Sequence, residues 1–244
     1  MTSSYDTIGR PVGRAEGPAK VTGQAMFPAD VNLPGTLVGK CLRSPFPYAK
    51  IVSIDPNSVA AARQVPGVHA VLTTDDIPSH LVGRMLRDMP ILARDVVRFA
   101  GQKVVAVAAE NDDIAEEALN LIQIEYEEME PILDPSDSIK TGAPVLHPDF
   151  ADYAGTPDGA RAYPNAAGHG SWSHGDVEQG FAEADLILEH SFKTNHQHQA
   201  YIEPHASVVF LDDTGRVQAW VNSKMPFQVR QQLSEGIDMP TGQI

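Results

Sequence analysis

The sequence predicts a mixed fold of the α/β or α+β class, on three observations. Val104 to Ala109 is an unbroken apolar run with three β-branched residues, the length of a strand covered on both faces. Ile114, Ala115, Ala118, Leu119 and Ile122 then recur at helical intervals, while Glu116, Glu117 and Asn120 face the other way. Gln123 to Glu127 switches to alternation, so a second strand follows almost at once. Strand, helix and strand in such close succession form an α/β unit, with a right-handed crossover if the strands are parallel. Asn111, Asp112 and Asp113 offer N-caps for the helix, and Asp113 with Glu116 has the spacing of a loose capping box.

The remaining elements follow in chain order. Residues 1–22 form an extended arm, because Ile8 to Thr22 mixes Gly, Pro and basic residues without a hydrophobic period. Its glycines (Gly9, Gly13 and Gly17) neither follow a strand nor open a helix, so they make no phosphate cradle. Residues 23–133 form an α/β domain. Leu37 to Arg43 and Ile51 to Ile54 are short strands separated by the breaker Ser44-Pro45-Phe46-Pro47. Asp55 to Ser58 caps a helix carrying Val59 to Ala62, which stops near Pro66-Gly67, and Val68 to Leu72 is a third strand.

From Asp134 the composition changes, and Pro and Gly interrupt any period, Gly155, Gly159 and Pro164 among them. Residues 134–174 are therefore a linker, or a segment draped over another surface. Residues 175–244 form a second, incomplete domain. Asp176 to Ala184 is a short helix, Leu186 to Phe192 and Ala206 to Leu211 are strands, and Asp212 to Gly215 is a hairpin turn leading into Val217 to Val221. Pro226, at a first-turn position, starts a helix through Leu233.

Composition narrows the function. A chain of 244 residues buries roughly 70–75% of its unfolded surface. A net charge of −14 argues against nucleic acid and against an anionic membrane surface. No apolar run reaches the ~18 residues of a membrane span, so no membrane partner is expected and the location read from sequence is cytoplasmic. Cys41 is the single cysteine; it excludes an internal disulfide or a multi-cysteine cluster site, and within a strand pattern it reads as a buried inert thiol.

The densest polar cluster is Asn195 to His205. His196 and His198, if extended, share a face, as do Glu203 and His205, and such ligands suit zinc or a non-haem metal. Hydrogen bonding at a strand end is the competing role, and Pro204 breaks the geometry between the pairs. Lys224 lies just after a strand and just before the Pro226 helix start, where a helix N-terminus and an ammonium both favour an anion. Trp172 and Trp220 read as packing residues.

An ordered set of short motifs carries a resemblance. Gly17-Pro18-Ala19-Lys20-Val21-Thr22-Gly23, Ala29-Asp30, Leu33-Pro34-Gly35, Arg43-Ser44-Pro45, Pro66-Gly67-Val68 and Asp76-Ile77-Pro78 resemble the opening of the large subunit of the xanthine dehydrogenase/aldehyde oxidase family of molybdenum hydroxylases, its α/β hammerhead domain. Phe99 to Gln102 with Val104 to Ala109, then Glu125-Tyr126-Glu127, is similar to the end of that domain. Gly175-Asp176-Val177, Phe181 to Asp185, Glu203-Pro204-His205 and Val221 to Phe227 resemble the start of the molybdenum-cofactor-binding region.

The resemblance implies oxidation of an aldehyde, a purine or another N-heterocycle, or of carbon monoxide, at a molybdenum–pterin cofactor with water as oxygen source. It implies that electrons leave through iron–sulfur clusters, commonly to FAD, on partner chains or domains. In many members a glutamine follows the strand matching Val217 to Ser223 and hydrogen-bonds near the metal; here Lys224 takes that position. An amide offers a donor and an acceptor, whereas an ammonium offers donors and a charge, which implies altered chemistry or a different substrate. Glu203 would shape the site wall. The family's glycine-rich segment, its other pterin contacts and its base glutamate do not occur before Ile244, so the expectation is a chain inactive alone, either a truncated piece or one that shares its cofactor with a complementing partner. Two alternatives stand beside it: a non-catalytic assembly module of such a complex, and a small metal-binding protein using His196, His198 and His205.

Overall fold

The structure, a computed structural model, describes residues 8, 9, 11–157 and 165–244. The early residues of the arm, and the linker positions Gly159 and Pro164, lie outside the described residues.

The core is built on β7 (Lys103–Ala109), the apolar run of the sequence. It is central in a three-stranded sheet, between β1 (Val38–Arg43) and β3 (Val68–Leu72), and both pairings are antiparallel. Val104 and Val105 point to opposite faces of β7 and both are fully buried: the strand has a neighbour on each edge and helices over one face, and Ala49, Ala93 and Val97 join the same buried cluster. Those helices are α2 (Pro56–Arg63) and α3 (Asp112–Leu121). They contribute Val59, Ala62, Ala115 and Ala118 to the same hydrophobic cluster. Each starts on a side-chain cap. Asp55 accepts the N–H groups of Asn57 and Ser58, and Asn111 accepts that of Ile114 at 2.9 Å. Asn111 is thus the cap of α3, and the Asp113–Glu116 box is not used.

A second three-stranded sheet places β2 (Ala49–Ile54) between β6 (Val96–Val97) and β8 (Ile124–Glu128). The condition for a crossover is not met: β7 and β8 belong to different sheets, and each pairs antiparallel with its neighbours. Helix α3 joins two sheets rather than two strands of one. Phe46 and Tyr126 meet edge-on, with ring centroids 5.2 Å apart, where the second sheet meets the core. Cys41 is half-buried on β1, opposite Ala106, so it is less enclosed than its strand pattern implied.

The arm is not wholly extended. Gly17–Val21 forms a short helix, α1, with Pro18 in its first turn and Lys20 beside Glu16 at 3.7 Å. A five-residue helix has no room to display an apolar period, which explains why the sequence did not announce it.

After the short helix α4 (Pro135–Ser138) the chain is draped over the first domain. Arg98 Nε donates to the Leu146 carbonyl at 2.7 Å, and the Arg87 N–H to that of Ala154 at 2.8 Å. Gly155 allows the closest approach: its φ is +88°, and a Cβ there would lie 1.8 Å from the Met85 carbonyl oxygen. This part of the domain also holds β4 (Leu81–Val82) and β5 (Met89–Pro90), paired as a small hairpin.

The second half is sparser. It contains α5 (Val177–Glu183), the hairpin of β9 (Ser207–Leu211) and β10 (Val217–Val221), and α6 (Pro226–Gly236), which runs beyond Leu233. Asp212 organises the hairpin turn: hydrogen bonds from the Thr214 hydroxyl and the Gln218 amide hold its carboxyl well below the usual carboxylate range. The expected strand from Leu186 to Phe192 does not form. Leu186, Leu188 and Phe192 are 73, 72 and 92% exposed, because among the described residues no strand pairs with that stretch. Trp172 is likewise exposed, at 87%, and stacks on His174 rather than packing in a core. Trp220 stacks on Phe210 with centroids 5.5 Å apart. No helix among the described residues is long and apolar enough to cross a membrane.

Candidate functional site

The polar cluster of the second half gathers at one end of the β9–β10 hairpin. Register pairs Ser207 with Val221, so the residues just before β9 lie beside those just after β10. Asn222 uses that proximity. Its Oδ1 accepts the Ala206 N–H at 2.7 Å, and its Nδ2 donates to the Glu203 carboxylate. One amide thus ties the Glu203–Ala206 approach to the end of β10 and uses both ends of its dipole. Sequence reasoning missed Asn222; an Asn directly after a strand and shortly before a helix-starting Pro was the available signal.

The histidines do not assemble. The chain from 195 to 206 is not a strand, and Ala200 has a φ of 50°, which breaks the alternation that would have aligned His196 with His198. His198 Nδ1 instead accepts the Ala200 N–H at 2.9 Å. Tyr201 lies between two of the rings, stacked on His205 at 4.9 Å and tilted against His198 at 5.3 Å. Among the described residues no group of three or more His, Cys, Asp or Glu could hold a metal ion, so the structure gives the His196, His198 and His205 site no support. An open depression of about 340 Å³ lies here, lined by His205, Ala206, Ser207, Val221, Asn222 and Val229.

Lys224 is exposed in the short connection between β10 and α6 and does not line that depression. Helix α6 begins with Met225 as N-cap, without a side-chain cap, and with Pro226 in its first turn. Ser223 Oγ accepts the Met225 N–H at 2.9 Å, which orients the connection. An uncapped helix N-terminus beside an ammonium suits an anionic group. At its other end α6 is anchored to the first domain. Glu235 accepts Arg87 Nε at 3.2 Å and Nη2 at 3.0 Å, and this guanidinium, with the Gln231 amide, holds the Glu235 carboxyl below its ordinary range. His80 Nε2 also meets the Glu235 carbonyl, and Gly236 lies against Val82 and Ile91. The N-terminal end of α6 is open while its C-terminal end is fixed.

Comparison with known proteins agrees with this architecture. Residues 22–130 match the family model described as aldehyde oxidase and xanthine dehydrogenase, a/b hammerhead domain, and residues 160–244 match the molybdopterin cofactor-binding domain. A Bacillus subtilis (strain 168) protein, named as one subunit of a probable xanthine dehydrogenase, is 34% identical over 232 residues, covering 95% of this chain and 29% of that protein. The nicotinate dehydrogenase large molybdopterin subunit of Eubacterium barkeri is 30% identical over 245 residues, covering all of this chain and 54% of the relative. Among solved structures, CO dehydrogenase from Oligotropha carboxidovorans superposes with a TM-score of 0.79 at 28% identity, over 97% of this chain and 30% of the other. The chain therefore spans between about a third and about half of the length of these relatives. It belongs to the xanthine dehydrogenase/aldehyde oxidase family of molybdenum hydroxylases, of which it carries the hammerhead domain and the start of the molybdopterin cofactor-binding domain.

Proposed function

We propose that this chain forms part of the catalytic subunit of a molybdenum hydroxylase that oxidises an aldehyde or an N-heterocycle, and that it works only with a complementing chain. The observation that carries the need for a partner is the apolar surface of the second half. Phe192 and Ile202 are 92 and 98% exposed, with Leu186, Leu188 and Phe181 exposed as well, in the same domain as the open start of α6. Apolar exposure on that scale marks a surface that another polypeptide covers.

The residues present suit an anionic molybdenum–pterin group. Lys224 supplies a positive charge without an ion pair among the described residues, α6 supplies an uncapped N-terminus, and the Glu203 carboxylate is held by Asn222. When bound, such a group supplies a two-electron sink for an oxidation that takes its oxygen from water. The chain's own residues would do three things. Lys224 would neutralise charge and donate hydrogen bonds where an amide serves in many relatives. Asn222 would hold the approach to β9 against the end of β10, and Glu203 would shape the site wall. Iron–sulfur clusters and FAD would lie on partner chains or domains and carry electrons away.

The test is turnover of an aldehyde and an N-heterocycle by the complex of this chain with the polypeptide encoded beside it. The Lys224→Gln variant should change kcat for the preferred substrate by at least about tenfold, about 1.4 kcal/mol in the barrier. Unchanged turnover would place Lys224 away from the reacting centre. No turnover by a complex that does form would favour a non-catalytic assembly module.

A further inference from the structure

Away from the β10–α6 junction, a depression of about 360 Å³ opens in the hammerhead domain. Its lining comes from the end of β1, from β5, from the turn between β6 and β7, and from His147 of the draped segment. The charge of this lining opposes that of the molecule. Arg43, Arg98 and Lys103 face a single carboxylate, Asp88, in a chain whose net charge is −14. Among the described residues Arg43, Arg98 and Lys103 make no ion pair.

The donors are held in place yet not used up. Arg43 Nη1 donates to the Gly101 carbonyl at 2.9 Å, and Arg98 Nε to that of Leu146 at 2.7 Å. Each bond fixes a guanidinium by one N–H of its five and leaves the others. Gln102 is 7% exposed; its Oε1 accepts the Arg98 N–H at 2.7 Å, and its amide nitrogen has no protein acceptor among the described residues. Among the described residues no buried side-chain N or O lacks a hydrogen-bond partner, so this amide N–H is open to solvent and remains available to an acceptor in the depression. His147 registers the same field: burial first, then the neighbouring Arg98, holds its imidazole below the ordinary range. The rest of the wall is apolar, from Met89, Pro90, Ile91 and the ring of Phe99, which is 56% exposed.

We propose that this depression is a binding site for a small organic carboxylate, its charge held by Arg43, Lys103 and the Gln102 amide and its apolar body lying against Phe99. Donors without acceptors select the anion, and the apolar wall selects a body that inorganic anions lack. The site uses no residue of β9, β10 or α6, so it stands independently of the proposed oxidation.

Isothermal titration of the full chain tests it with three probes: benzoate, benzamide (the same ring without the charge) and inorganic phosphate (the charge without the ring). Saturable single-site binding of benzoate is expected, with benzamide and phosphate each weaker by at least about tenfold. The double variant Arg43→Gln with Lys103→Gln should weaken benzoate by at least about tenfold while the far-UV circular dichroism is retained. Absence of saturable benzoate binding overturns the proposal, as does benzamide binding as tightly as benzoate. Phosphate equalling benzoate overturns the claim of an organic body. The probe comparison needs no variant, so a misfolded double variant leaves the test intact.

Discussion

Arg87 and Glu235 meet in a two-bond fork across 148 residues of sequence, Nε to Oε2 at 3.2 Å and Nη2 to Oε1 at 3.0 Å. The pair is about three-quarters and two-thirds buried at its two side chains, and it joins the hammerhead domain to the last turn of α6. It fixes one end of the helix whose other end is open beside Lys224.

Breaking that fork should therefore loosen α6 before it loosens the core. In Arg87→Ala, amide hydrogen exchange should rise across residues 226–236 and stay unchanged in β7, which is held between β1 and β3. Faster exchange spread equally over both would show that the pair stabilises the whole chain instead.

The core makes the opposite prediction. Val105 is fully buried at the centre of the first sheet, so Val105→Ala should cost about 2 kcal/mol, from lost transfer energy and a residual cavity. Asn111→Ala removes the N-cap of α3 and should cost about 1 kcal/mol. Urea denaturation followed by circular dichroism measures both. A loss in the cap variant larger than in the core variant would contradict this ordering.

His147 predicts a pH dependence. Its folded-state pKa lies below the unfolded value of about 6.5, so the unfolded chain takes up the proton first. Its contribution is complete above about pH 6.5, declines as pH falls through that value, and levels off below the folded pKa. The melting temperature of the parent should therefore fall more between pH 7.5 and 5.5, both nominal values near the ~6.5 midpoint, than that of His147→Gln. Parallel curves for the two would mean that His147 titrates alike in the folded and unfolded chains.

Much of the first domain was legible in the sequence because burial leaves a local trace. Val104 to Ala109 could be continuously apolar only with both faces covered, and the caps of α2 and α3 lie beside the runs they start. Pairing leaves no such trace. The alternation of Gln123 to Glu127 says that one face is buried but not by which sheet, so the antiparallel partnership of β8 with β2 could not be read. Leu186 to Phe192 failed for the same reason, since a strand-like composition needs a partner strand to become one. At the candidate site, the junction that holds Lys224 was visible from Pro226. The Asn222 link to Glu203 and the Arg87–Glu235 fork were not, because each depends on residues brought together by the fold.

The measurement that tests the central claim most directly is the molybdenum and pterin content of this chain, purified alone and purified with its complementing polypeptide. The account predicts neither component above background in the isolated chain and near-stoichiometric amounts of both in the complex. Cofactor retained by the isolated chain, or missing from a complex that forms, would contradict it.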